Sequence, residues 1–61
     1  MKRRDLVRHL ETHNCRLHRE GANHSIYRHP ANSRCAAVPR HSEVKETVAR
    51  TMCEQLGVPR P

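Results

Sequence analysis

A histidine beside a small-residue turn is the group in this chain best placed for chemistry. In Gly21-Ala22-Asn23-His24-Ser25-Ile26 a glycine-bearing turn runs into an alternating stretch that continues through Tyr27 and Arg28. His24 then sits at the mouth of a strand, held by backbone on both sides and open to a ligand. Arg16, Arg19, Arg28, Arg34 and Arg40 all fall within a few residues of the same stretches. A titratable imidazole among fixed positive charges suits proton transfer at a phosphodiester. A neutral imidazole can take the proton of a ribose 2′-hydroxyl, whose oxygen then attacks the adjacent phosphate. The arginines would stabilise the extra charge of the pentacoordinate transition state. No metal or other cofactor is needed for that step, and the residue types point to RNA rather than to a small metabolite. The leaving 5′-oxygen still requires a proton, and no residue stands out as its donor.

Around His24 the expectations are graded by position. Arg19 and Arg28 lead as phosphate contacts, with Arg16 and Arg40 beside them, and Lys2, Arg3, Arg4 and Arg8 could extend that surface. His41 follows Val38-Pro39-Arg40 and could assist catalysis, bind phosphate or brace the turn, the last being favoured. Tyr27, the one aromatic residue, could stack on a base or pack against a helix. His9, His13, His18 and His29 read as surface residues. Cys15, Cys35 and Cys53 are isolated, with no pair at metal-ligand or redox spacing. Each reads as a small buried or half-buried apolar side chain.

Charge is spread unevenly. The net charge is +6 over 61 residues. Residues 1–13 carry four basic and two acidic groups, residues 14–41 five and one, and residues 42–61 three and three. All six histidines lie between His9 and His41. A polyanion on one side and an ordinary solvated helix on the other is the arrangement this predicts. With 34% hydrophobic residues and neither Phe nor Trp, a core must come from Leu, Val, Ile and Met. One small, marginally stable domain over residues 1–61 is expected, which a bound partner could stabilise. No apolar run approaches the roughly 20 residues that span a bilayer, and no secretory apolar segment follows Met1-Lys2-Arg3-Arg4. A cytoplasmic protein with no membrane contact is the expectation.

The elements that must position His24 follow from periodicity. Residues 2–13 read as a helix with Leu6, Val7 and Leu10 on one stripe, ended by Asn14. Apolar and polar residues alternate from Cys15 to Glu20, placing Cys15 and Leu17 on one face and Arg16 and His18 on the other. Residues 23–29 and 34–38 give two further strands, joined through the turn His29-Pro30-Ala31-Asn32-Ser33 and ended by Pro39. Connections this short require an antiparallel meander. Ser42 is expected to cap a second helix with Glu43 in its first turn. Val44, Val48, Met52 and Leu56 form its stripe, widened by Ala49 and Cys53, and Gly57 ends it. The order is α-β-β-β-α, an α+β fold with a three-stranded antiparallel sheet and both helices on one face.

These residues also carry a family likeness. A short basic helix is followed by Arg19-Glu20-Gly21-Ala22-Asn23-His24-Ser25-Ile26-Tyr27 and by Ala37-Val38-Pro39-Arg40-His41. Then comes a helix containing Glu46-Thr47-Val48-Ala49-Arg50 and ending Glu54-Gln55-Leu56-Gly57-Val58-Pro59. Together they resemble the HicA family of bacterial toxins over nearly the whole chain. The resemblance implies a type II toxin-antitoxin mRNA interferase, independent of translation, with a fold similar to a double-stranded-RNA-binding domain. It implies a HicB-type antitoxin as partner in a hetero-oligomer, single-stranded mRNA as substrate, and His24 as the catalytic histidine. Ala22 stands where Gly or Ser is common in the family, and Glu46 precedes Thr47 where many members have Gly. Two other classes compete with this reading: a non-catalytic RNA-binding module that reads shape and phosphates, and a structural ribonucleoprotein subunit. His24 beside Gly21 favours the enzyme, and the neutral last helix lacks the lysine cluster a double-strand binder wants.

Overall fold

Leu6, Val7 and Leu10 bring the first helix onto the rest of the chain. In the computed structural model, which describes residues 1–61, α1 spans Arg3–Thr12 with Leu6 and Leu10 fully buried and Val7 packed at their margin. Arg4, Arg8 and Glu11 face solvent. Asn14 takes the left-handed conformation, φ 70°, and the Cys15 amide donates back to the Leu10 carbonyl at 2.9 Å. The helix therefore stops where the sequence predicts.

Three antiparallel strands follow, β1 at Arg16–Glu20, β2 at His24–His29 and β3 at Arg34–Pro39, in the spatial order β1-β2-β3. Alternation in β2 and β3 divides the sheet into two faces. Ser25, Tyr27, Ala36 and Val38 point to the buried face, paired as Ser25↔Val38 and Tyr27↔Ala36. Tyr27, Ala36 and Val38 join Leu6 and Leu10 of α1 and Ala49, Met52, Cys53 and Leu56 of α2 (Glu46–Leu56) in one apolar cluster. Both helices therefore cover the same face and leave the other open. The α-β-β-β-α order and the α+β class stand as the sequence predicts.

The core differs from expectation in three places. Ile26 lies on the open face, and Tyr27 takes the second of its two expected roles and packs against the helices, because the alternation of β2 turns Ser25 and Tyr27 towards them. Leu17 is half exposed, in an edge strand none of whose residues is buried. Cys35 is exposed on the open face, whereas Cys15 and Cys53 are fully buried. Burial pushes both buried thiols above their usual range, so they behave as small apolar groups rather than nucleophiles.

The second helix also begins later than its sequence signals predict. Ser42 does not cap it. The Arg3 amide donates to the Ser42 carbonyl and the Val44 amide to the Met1 carbonyl, each at 2.8 Å, and Lys2 and Glu43 form an antiparallel bridge. This extended pairing buries Val44 and consumes the residues expected to form the first turn. Lys45 is then the N-cap, without a side-chain hydrogen bond. A strict four-residue spacing drifts by about 40° per step on a 3.6-residue helix. Val48 accordingly turns outward, and Ala49, Met52, Cys53 and Leu56 form the buried stripe.

Gly57 ends α2 at φ 74°, and the Val58 amide reaches back to the Cys53 carbonyl at 2.9 Å. The β2–β3 turn closes against this point. The Asn32 amide group donates to the Leu56 carbonyl at 3.0 Å, and a Cβ on Gly57 would stand 2.8 Å from that nitrogen. Glycine is thus required for its backbone angle and for its size. Gly57→Ala is expected to lower stability by about 1–2 kcal/mol from the left-handed conformation alone. Urea unfolding at constant temperature checks it; an unchanged midpoint would show that the turn simply moves aside.

Candidate active site and nucleic-acid interface

The open face of the sheet collects His24 and three of the arginines singled out for chemistry. Cross-strand partners share a face, and the register pairs Arg16↔Arg28, Arg19↔Ile26 and His24↔Pro39. Uninterrupted alternation would have put Arg16 and Arg19 on opposite sides. A bulge between Leu17 and Arg19 takes up His18 as an extra residue, so Arg19 joins Arg16, His24, Ile26 and Arg28. Two arginines directly opposite each other, Arg16 and Arg28, repel across the ladder. A surface that tolerates this repulsion suits an anionic partner.

His24 is the first residue of β2, exposed, with its backbone fixed from two directions. The Gly21 amide donates to the His24 carbonyl at 2.8 Å, closing the turn, and Pro39 lies opposite in the ladder. Gly21 is not in the left-handed region; a Cβ there would come within 3.2 Å of that same carbonyl. Small size, rather than an unusual backbone angle, is what the turn asks of residue 21.

Behind His24, on the helix side, lies a polar network that the sequence did not announce. Ser25 is 2% exposed and is the single polar residue buried in the chain. Its hydroxyl accepts from Arg3 Nη2 at 2.9 Å, and Arg3 Nε donates to the Pro39 carbonyl at 2.8 Å. Ser25 faces Glu20 across the ladder. The Ser25 hydroxyl is the main reason the Glu20 carboxyl is held below the usual carboxylate range, and the charges of Arg40 and Arg3 add to it. Glu20 in turn lies 3.4 Å from the Arg40 guanidinium, which also donates to the Gly21 carbonyl. Because the folded carboxyl titrates below its unfolded value, the network is intact above the ordinary carboxylate range and weakens as pH falls through the depressed value. A small hydroxyl at an inward position of β2 was the available signal, since a buried hydroxyl needs a partner.

The basic residues divide into engaged and free. Arg16 donates to the Glu11 and Cys15 carbonyls at 3.1 and 2.9 Å, and so caps the end of α1. Arg28 Nη2 holds Ser33 Oγ at 2.9 Å. Lys2 is paired with Glu43 at 3.2 Å, and Arg40 is held as described. Arg4, Arg8 and Arg19 are exposed and enter no ion pair or side-chain hydrogen bond. Of these Arg19 alone shares the face of His24. His41 is exposed in the segment after β3 and makes no side-chain hydrogen bond. Tyr27 is 7% exposed on the helix side, and burial raises its phenol above the usual value, so it packs in the core and offers no ring to a base.

The open face thus presents an exposed imidazole at one end of a row of guanidinium-bearing residues. No helix is long and apolar enough to cross a membrane. No curated protein and no solved structure matches the chain. A family model for the HicA toxin of bacterial toxin-antitoxin matches residues 3–58, from the start of α1 to the residue after Gly57. All five elements and the whole polar network lie inside that span, and the chain belongs to the HicA family, the toxin component of bacterial toxin-antitoxin systems.

Proposed function

We propose that this toxin is an endoribonuclease that cleaves single-stranded mRNA independently of translation, with His24 as general base. The carrying observation is the position of His24: exposed, backbone-fixed and on the face that gathers Arg16, Arg19 and Arg28. The imidazole takes the 2′-hydroxyl proton, the 2′-oxygen attacks phosphorus, and the 5′-oxygen leaves, taking a proton from solvent water to become the 5′-hydroxyl. Arg19, the unpaired guanidinium on that face, stabilises the charge gathered on the phosphoryl oxygens, while Arg16 and Arg28, further along the sheet, hold neighbouring phosphates. The step uses no resident metal. The antitoxin implied by the family is a HicB-type protein acting in the bacterial cytoplasm, and an acidic surface on it would associate quickly with a chain of this charge.

Induced expression tests the reading in cells. The wild-type chain should arrest growth and degrade mRNA, and co-expression with its antitoxin should restore growth. His24→Ala should do neither harm. A His24→Ala chain that arrests growth at the wild-type level would instead favour a toxin that acts by binding.

Electrostatic recognition adds a separate expectation. RNA affinity should fall steeply between about 50 and 200 mM salt as phosphates release counterions. Arg19→Ala should shrink the slope of log affinity against log salt by about 0.7, the value for one phosphate on a single strand. Lys2→Ala, which removes a cation already paired with Glu43, should leave the slope alone. Filter binding across a salt series measures both; an unchanged slope in Arg19→Ala would place Arg19 away from the RNA.

A further inference from the structure

We propose that Arg3 is a positioning residue for His24, acting with Ser25 from the covered side of the sheet rather than touching RNA. The inference rests on His24 being the general base proposed above. Arg3 stands in the first turn of α1, far from His24 in sequence, yet its guanidinium reaches both neighbours of that residue. Its Nε donates to the carbonyl of Pro39, the cross-strand partner of His24, and its Nη2 to the hydroxyl of Ser25, the next residue in the chain. A planar fork can satisfy both acceptors at once, whereas an ammonium is a single point of attachment.

The placement excludes the simpler reading of Arg3 as one more phosphate contact. Ser25 alternates with His24 along β2, so a group bonded to the buried Ser25 hydroxyl lies behind the face that carries the imidazole. Arg3 is itself half-buried, while Arg4 next to it is exposed. Glu20, opposite Ser25 across the ladder, pairs with Arg40 rather than with Arg3. From the other side Arg40 fixes the Gly21 carbonyl, and the Gly21 amide holds the His24 carbonyl. His24 is therefore tied at the residue after it, at its partner across the ladder and at the start of its turn. Without these ties an exposed residue at a strand end beside an outermost strand would fray. Displacement of a general base by an ångström is enough to cost about 100-fold in rate.

Arg3→Met and Ser25→Ala in the purified full chain test this, with Arg50→Ala on the outer face of α2 as a charge control. Three quantities are read: single-turnover cleavage at saturating RNA, affinity for a 2′-O-methyl oligoribonucleotide that cannot be cleaved, and exchange of the Gly21 amide. Both variants should lose cleavage about 10- to 100-fold. Their affinity for the 2′-O-methyl RNA should stay within about twofold of wild type with an unchanged salt slope, and Gly21 exchange should quicken. Arg50→Ala should match wild type in all three. Weakened binding with a shallower salt slope in Arg3→Met would make Arg3 an RNA contact and overturn the proposal. So would wild-type cleavage in both variants. Ser25→Ala removes only a hydroxyl, and so remains informative if Arg3→Met does not fold. Should His24→Ala itself cleave normally, the functional reading fails, while Gly21 exchange still reports whether Arg3 fixes the turn.

Discussion

His24→Ala is expected to lower the cleavage rate of purified toxin by about 10²- to 10⁴-fold, the range that a positioned general base supplies. The fold should survive. The side chain is exposed, makes no hydrogen bond, and leaves the Gly21-to-His24 backbone bond in place, because that bond uses only main-chain atoms. RNA affinity should be retained as well, since the arginines of the open face carry the electrostatic attraction. The combination separates a catalytic role from a binding one. A variant that melts like wild type, binds RNA like wild type and does not cleave fits a base. A variant that cleaves normally removes His24 from the chemistry, and one that loses binding in proportion to cleavage makes it an RNA contact.

Leu10→Ala is expected to unfold the isolated toxin. Leu10 is fully buried at the end of α1 that leads into Cys15 and β1, and its carbonyl also receives the Cys15 amide. Truncating a buried leucine costs about 2–5 kcal/mol. A single core in a domain of this size seldom supplies more than about 3–5 kcal/mol in total. The two ranges overlap, so little or no folded population should remain at 37 °C. A partner that binds only the folded toxin adds stability by mass action, about 2.7 kcal/mol at a hundred times its dissociation constant. Circular dichroism melts of Leu10→Ala with and without antitoxin should therefore show no cooperative transition alone and a recovered one in the complex. A cooperative melt of the isolated variant within a few degrees of wild type would mean that the core tolerates the cavity by collapse.

Much of the scaffold is legible in the sequence because its signals are local. Asn14 and Gly57 are residues that accept positive φ, and both helices stop at them. The short connections force neighbouring strands to pair antiparallel, and they do. Three features escape such reading, two because a distant segment decides them and one because no residue type marks it. The start of α2 is set by Met1–Arg3, which draws Ser42–Val44 into extended pairing and overrides a good capping residue. The bulge at His18 has no glycine to mark it, yet it decides which face Arg19 occupies. Arg3 reads as one more cation in a basic run, and only the folded chain brings it to Ser25 and Pro39. At the candidate site the histidine was legible from its turn. The residues that hold it were not, since they act across 22 and 36 positions of sequence.

The end groups of the RNA fragments test the central claim most directly. Attack by a 2′-oxygen breaks the bond to the 5′-oxygen, so each cut made by the wild-type toxin should leave a 2′,3′-cyclic phosphate on one fragment and a 5′-hydroxyl on the other. Cutting should continue at the same rate in excess chelator. Fragments beginning with 5′-phosphate, or cleavage that stops when metal ions are removed, would instead indicate attack by metal-activated water and contradict a mechanism built on His24.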